Sequence, residues 1–341
     1  MRLSSRNRAA VTFVRDILFM DTIIQQLVNG VTLGGMYALI ALGYTLVYGI
    51  LLMINFAHSE MFMSGAYFGL FTLLFFTDEG MIGKVTSALP WMSWLTPARE
   101  FFLGSTFGLI LLFVIVFGVA AVLTGLLGML IERVAYRPLR NAPRLAPLIS
   151  AIGVSIFLQN AVLLWVDSKA IPFPSIFPVK TFAYGINSLK IFIVVASFVL
   201  LIFLDTFVSK TKIGKAMRAT SQDRDAAGLM GIDINSVIAL TFFIGPALGA
   251  VAGIFHGMYY GAVIFNMGFF PGIKSFTAAV LGGIGNLRGA MLGGFVLGII
   301  ESLGAGFIST GYKDVIAFVI LIVVLIFKPG GLLGESVVEK V

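Results

Sequence analysis

Residues 22–59 read TIIQQLVNGVTLGGMYALIALGYTLVYGILLMINFAHS and contain no Asp, Glu, Lys or Arg. About 20 apolar residues in helical form cross a hydrocarbon layer of about 30 Å, so this run exceeds one crossing. Further charge-free runs occupy 61–77, 101–131, 145–166, 191–204, 234–273, 289–300 and 315–327. The 341 residues are 59% hydrophobic and 11% charged, with a mean hydropathy of +1.02. A soluble domain carries about 25% charged residues, which excludes a soluble enzyme; so apolar a composition also excludes a disordered chain. The alternating ten-residue segments of an outer-membrane barrel are absent. The expected fold is all-α, a polytopic membrane helical bundle of about eight spanning helices. They are placed near 23–50, 57–77, 105–131, 147–167, 190–208, 237–260, 290–308 and 313–328, with a short re-entrant helix near 273–284.

Charge in the connecting segments gives the orientation. Segment 132–146 carries Arg133, Arg137, Arg140 and Arg144 against Glu132, net +3; segment 209–236 carries five bases against three acids, net +2. Segment 78–104 is net −1. Positive loops stay cytoplasmic, which places the first two inside and 78–104 outside. Segment 168–189, with Pro172, Pro174 and Pro178, is then external by alternation. Two crossings before an external 78–104 put the N-terminus outside, against Arg2, Arg6, Arg8 and Arg15. Either residues 1–21 are a basic extension of which 1–19 are dispensable, with Met20 the natural start, or 22–59 does not cross simply. The first option is adopted, giving a permease domain over 22–334 and a cytoplasmic tail over 335–341. No small-residue cleavage site of a signal peptide follows the first residues. The net charge of +7 thus belongs to loops beside a lipid bilayer and implies no nucleic acid.

Residues able to carry chemistry are few. Cys is absent and His occurs twice, which leaves no thiolate site and no His-rich metal site; no metal, cofactor or catalytic residue is expected. No G-x-x-x-x-G-K-[ST] loop occurs, so the chain does not hydrolyse ATP in the P-loop manner. Only Glu60 and Glu301 stand as acids within apolar runs, few for a proton relay. Gly245, Gly249, Gly253, Gly257 and Gly261 recur every fourth residue around Pro246, a spacing that lets helices approach closely in lipid. Asn55-Phe56-Ala57-His58-Ser59-Glu60 interrupts the first apolar region. Polar backbone at membrane depth is tolerated where protein or water surrounds it, so Asn55, His58 and Glu60 are either path-lining or an interfacial turn. Gly282, Gly283 and Gly285 form a second interruption in the other half, and paired interruptions point to a midplane site in transporters. Residues 214–233 read as one amphipathic cytoplasmic helix, too polar to span, with Gly231 as its stop. Such a helix suits docking on a partner; the alternative is a solvated connector.

These segments carry a resemblance. NGVTLGGMYALIALGYTLVYGILLMINFAHSE (29–60), IERVAYRPLR (131–140), LISAIGVSIFLQN (148–160), the 213–240 loop, FTAAVLGGIGNLRGAMLGGFVLGIIESL (276–303) and YKDVIAFVILIVVLIFKPGGLLGE (312–335) resemble the permeases of bacterial branched-chain amino-acid ABC transporters, of the H-type. The resemblance covers about 22–341; segments 1–21, 78–104 and 168–189 are individual. It implies an inner-membrane importer in which this chain works with a second, M-type permease, two ATP-binding subunits and an external solute-binding protein. It also implies that the 213–240 loop seats in the ATPase, with Arg218, Ala219, Asp223, Ala226, Gly231 and Ile232 as coupling residues. Rival readings are a permease for urea or short amides, and an ATP-independent carrier.

Overall fold

The computed structural model describes residues 5–334 apart from 141, 144, 176–178 and 329. Arg2, Arg144, Pro178 and the 335–341 tail lie outside the described residues. Helix α1 runs Ser5–Leu51, α2 His58–Thr77, α3 Glu79–Ala88, α4 Leu95–Gly104, α5 Thr106–Ile131 and α6 Leu145–Trp165. They are followed by α7 Ser188–Lys210, α8 Lys212–Gln222, α9 Arg224–Leu229, α10 Ile234–Tyr260, α11 Phe269–Gly282, α12 Leu287–Phe307 and α13 Lys313–Phe327. Eight helices among the described residues are long and apolar enough to cross a membrane. The chain is thus a polytopic helical membrane protein. Sheet is confined, among the described residues, to two two-residue strands, β1 Ile171–Pro172 and β2 Ala262–Val263, paired antiparallel.

Two of the three differences from the expected map have local causes. Helix α1 begins at Ser5 rather than near 23 because residues 5–21 contain neither Gly nor Pro to stop it. Segment 78–104 is not a plain loop but holds α3 and α4. Asp78 caps α3 by accepting from the Met81 amide at 2.6 Å, and Ser105 caps α5 by accepting from the Gly108 amide at 2.9 Å. The short helix α11 starts four residues earlier than expected and covers 14 residues, about 21 Å at 1.5 Å per residue, less than one crossing.

Helix α1 is the central element, packed against α12, α10, α11 and α7, with Ala38, Leu39, Ile40 and Ala41 fully buried. Dispersion rather than water exclusion holds helices together in lipid, so close backbone approach matters. Gly30 and Gly34 of α1 face Gly294 and Gly298 of α12 so closely that a Cβ on Gly298 would lie 2.4 Å from the Gly34 nitrogen. The stripe in α10 packs in the same way: Gly245 meets Gly43, and a Cβ on Gly253 would lie 2.1 Å from the Phe62 carbonyl oxygen. Pro246 lies inside α10 without interrupting it. Helices α5, α6, α7 and α13 expose rows of Phe, Ile, Leu and Val, among them Phe107, Ile149, Phe203 and Ile326.

Candidate functional site

Helix α1 ends at Leu51, and α2 does not begin until His58. Leu52 takes φ +53°, a left-handed conformation that costs an L-residue about 1–2 kcal/mol. Asn55 is buried, and its Oδ1 accepts from the Ala57 amide at 3.1 Å and from the Tyr136 hydroxyl at 2.7 Å. The His58 amide donates to the Asn55 carbonyl at 3.0 Å. The His58 ring is fully buried, edge-on to Tyr44 at 4.8 Å and pressed on Gly43; it faces the Ile40 carbonyl but makes no well-formed hydrogen bond among the described residues. Glu60, also fully buried, receives the Gln159 amide at 2.7 Å and the Ser155 hydroxyl at 3.1 Å on Oε1, while Oε2 has no partner among the described residues. The Ser59 hydroxyl lies 3.2 Å from the same Oε1 and donates to the Phe56 carbonyl at 2.7 Å.

The depth of this cluster follows from α10. Gly245 meets Gly43, and Gly249 faces Phe62 and His58. The start of α2 therefore lies 11–15 residues into a helix of 27, or about 16–22 Å along it. Gly268 and Gly272, at the start of α11, close over Ser59. The amino ends of two helices thus meet at mid-bundle around one carboxylate, where their partial positive charges favour an anion.

The second interruption is not part of this cluster. Gly282 packs against the Gly289 backbone. Gly283, at φ +107°, lies against Gly330 and Gly334, and the Leu332 and Leu333 amides donate to the Leu281 and Gly282 carbonyls. Gly285 alone borders a small cavity of about 70 Å³, with Gly49, Ile50, Met217 and Ser221. Gly49 is six residues beyond Gly43 on α1, so Gly285 is displaced by about 9 Å from the level of His58. The expectation that both interruptions share one midplane site gives way to two levels, because 330–334 fill the turn after α11.

The basic-loop face holds a larger cavity of about 630 Å³, within the usual range of small-molecule sites. Tyr48, Leu52 and Ile54 form one wall, Tyr136, Arg140 and Leu145 another, and Ser221 with Arg224 the third. Arg140 is itself paired with Glu132 and donates to Asn235 at 2.7 Å.

Residues 214–233 form two helices instead of the one expected. The reason is Asp223: its extended backbone leaves the helical region, and its Oδ1 accepts from the Ala226 amide at 2.9 Å to cap a new helix. Gly231 does end α9, at φ +83°, a conformation that a residue with a Cβ adopts only under strain. Asp233 caps α10 through the Ser236 hydroxyl at 2.5 Å and the Asn235 amide at 3.0 Å. These bonds, the Ser236 ones foremost, hold its carboxyl below the ordinary 3.8. Burial and the neighbouring Arg140 charge lower Arg224 from its ordinary value. Arg218 donates to the Ser209 carbonyl at 3.0 Å; Ala226 is exposed, and Ala219 and Ile232 are half-buried. What the loop presents outward is a pair the sequence reading passed over: Leu229 is 90% exposed and Met230 83%. Two adjacent apolar residues before a glycine stop were the available signal.

The family model for the permease component of branched-chain amino-acid transport systems matches residues 26–325. The chain belongs to this permease family. It is 46% identical over 326 residues to the high-affinity branched-chain amino acid transport system permease protein BraD of Pseudomonas aeruginosa, covering 93% of this chain and 98% of that protein. To LivH of Escherichia coli, a permease of the same description, it is 45% identical over 325 residues, covering 93% and 97%. A probable branched-chain amino acid transport permease protein LivM of Methanocaldococcus jannaschii is 27% identical over 158 residues, covering 41% and 44%. No solved structure matches the chain. The H-type resemblance read from the sequence agrees with these relatives, and the family is one of transport permeases.

Proposed function

We propose that this chain is a membrane-spanning subunit of an ATP-driven importer of leucine, isoleucine and valine in a bacterial inner membrane. It forms the translocation path with an M-type permease, while two ATP-binding subunits supply the energy and an external solute-binding protein delivers the substrate. The observation that supports this reading best is the 211–233 loop: two short capped helices ending in the exposed Leu229–Met230 pair. An apolar knob on a polar loop is what a partner cleft buries at a well-packed interface. ATP binding then shifts an equilibrium between outward-open and inward-open forms through differential contact with this loop. A secondary carrier has no use for such a loop. The named substrate of the relatives speaks against urea or amides.

Within this reading, Asn55, His58 and Glu60 line the path at mid-bundle and Gly285 borders it near the cytoplasm, with Gly282 and Gly283 shaping the turn. Asp223, Ala226 and Gly231 shape the coupling loop, Arg218 and Ala219 stiffen α8, and Ile232 seats the loop on the bundle. Residues 22–334 are the permease domain and 1–21 an accessory extension.

The test uses the assembled complex in liposomes. Leu229→Asp with Met230→Asp, or Gly231→Val, should abolish substrate-stimulated ATP hydrolysis while membrane insertion persists. Unchanged stimulation in both removes the coupling reading. Single cysteines at 53–61, introduced into a chain that has none, should react with a polar thiol reagent in a manner that changes when ATP traps the complex. Nine unreactive positions in both states would make the segment packed structure instead.

A further inference from the structure

Two interactions join the loops of the basic face to the interruption between α1 and α2, and they hold its two ends. At the α1 end, the Arg224 guanidinium donates twice to the Ile50 carbonyl, from Nε at 3.0 Å and from Nη2 at 2.5 Å. That carbonyl belongs to the last turn of α1, where no amide within the helix is left to satisfy it. Arg224 is the first residue of α9, directly after the Asp223 cap, so its position follows the loop. At the α2 end, the Tyr136 hydroxyl donates to Asn55 Oδ1 at 2.7 Å, and the same oxygen accepts the Ala57 amide. Tyr136 closes a π-helical turn, Glu132–Tyr136, at the foot of α5. Between the two anchors lies Leu52, left-handed and 68% exposed.

The cavity of about 630 Å³ separates these anchors. Its space lets residues 52–54 change course without displacing packed side chains, which the close-packed bundle elsewhere forbids. A non-glycine residue in a left-handed conformation persists only where its surroundings enforce it. Here the hydrogen bonds from the two loops on the basic face flank Leu52 at Ile50 and Asn55.

We propose that Arg224 and Tyr136 are the positioning residues that set the course of residues 52–57, so that a displacement of the 211–233 loop is carried through the end of α1 to the Asn55–Glu60 cluster. This rests on the coupling role of that loop. When α9 moves, the Ile50 carbonyl loses or follows its charged donor, and Leu52 is freed to leave its left-handed conformation. Asn55, bonded to the first residues of α2, passes the change on to His58 and Glu60. Charge-assisted bonds are the stronger ones, which places the larger effect at Arg224 and the smaller at Tyr136.

The experiment compares Arg224→Gln, Arg224→Lys and Tyr136→Phe in the complete complex in liposomes, with substrate and binding protein present. The ratio of stimulated to basal ATP hydrolysis should fall about tenfold in Arg224→Gln and about threefold in Tyr136→Phe, as expected when a charged donor and a neutral donor are lost. Arg224→Lys, which keeps a charged donor, should recover part of the loss. A single cysteine at Ile54 supplies a second readout: its reactivity toward a polar thiol reagent should change on ATP trapping in the parent and stay constant in Arg224→Gln. Tyr136→Phe keeps the ring packed on Phe242 and so tests the idea even where Arg224→Gln does not assemble. Parent-like ratios together with a parent-like ATP-dependent change at position 54 would overturn the inference. Gly231→Val in the same preparation separates the outcomes. If it uncouples and the others do not, only this inference falls; if none uncouples, the coupling role falls with it.

Discussion

Lys274 of α11 is buried in the membrane-spanning bundle between two acids from different helices. Its Nζ lies 2.8 Å from Glu301 Oε1 on α12 and 2.7 Å from Asp314 Oδ1 on α13, with side-chain exposures of 7%, 2% and 45% for Lys274, Glu301 and Asp314. At an effective dielectric of 20, a pair 2.8 Å apart gains about 6 kcal/mol, most of which offsets the desolvation of both ions. Removing one partner exposes the uncompensated part: Lys274→Met leaves the Glu301 carboxyl buried without its Lys274 partner, which costs about 3–5 kcal/mol. Asp314, half in the open, rehydrates and adds about 1 kcal/mol or less. Glu301→Gln should cost less than Lys274→Met, because Lys274 keeps Asp314. The double variant Lys274→Met with Glu301→Leu buries no lone ion between α11 and α12 and should recover at least about 2 kcal/mol relative to Lys274→Met. Unfolding of the purified protein by graded SDS in mixed micelles measures all three. If Lys274→Met unfolds within about 1 kcal/mol of the parent, or if the double variant recovers nothing relative to Lys274→Met, the triad does not fasten the short helix.

Three further outcomes are expected, two from the geometry and one from the sequence reading. Gly298→Val places branched carbons where the Gly34 nitrogen and Gly30 carbonyl of α1 already stand 2.4–2.5 Å from a Cβ; the helices must part, lowering stability by about 1–3 kcal/mol in the same SDS assay. Asp233 has a carboxyl pKa below 3.8, so its stabilisation is complete above 3.8 and is lost as the pH falls through the folded value. The stability difference between the parent and Asp233→Ala should therefore hold at pH 6 and vanish in strong acid, as read by thermal unfolding against pH. Deleting residues 1–19 should leave uptake near that of the parent, measured with radiolabelled leucine in cells; failure of the shortened chain to insert would make the extension part of the fold.

Much of the architecture was legible in one dimension. A spanning helix is a run of about 20 apolar residues, and such a run can be counted without knowing its neighbours; the eight spans and the short α11 follow from this, and the Gly231 stop follows from the left-handed turn that glycine admits. The caps at Asp78, Asp223 and Asp233 are equally local, and Asp223 was a visible signal that the loop would break in two. The site was less legible. Asn55, His58 and Glu60 stood out because polar residues interrupt an apolar run, but the same pattern fits an interfacial turn. Only the backbone contacts of Gly43, Gly249 and Gly268 place them at mid-bundle.

Which segments enter the membrane and which stay in water is set segment by segment, because transfer between the two media depends on each segment's own composition. Which helix meets which is settled only in three dimensions. Arg224 finds the carbonyl of a residue 174 positions away, Gln159 finds Glu60 across 99, and Lys274 bridges α12 and α13. In lipid every helix face is nearly equally apolar, so the choice of neighbour falls to small residues that admit close backbones and to buried polar groups that must be paired. Those preferences act between segments far apart in the chain, and they become specific only once the helices have packed.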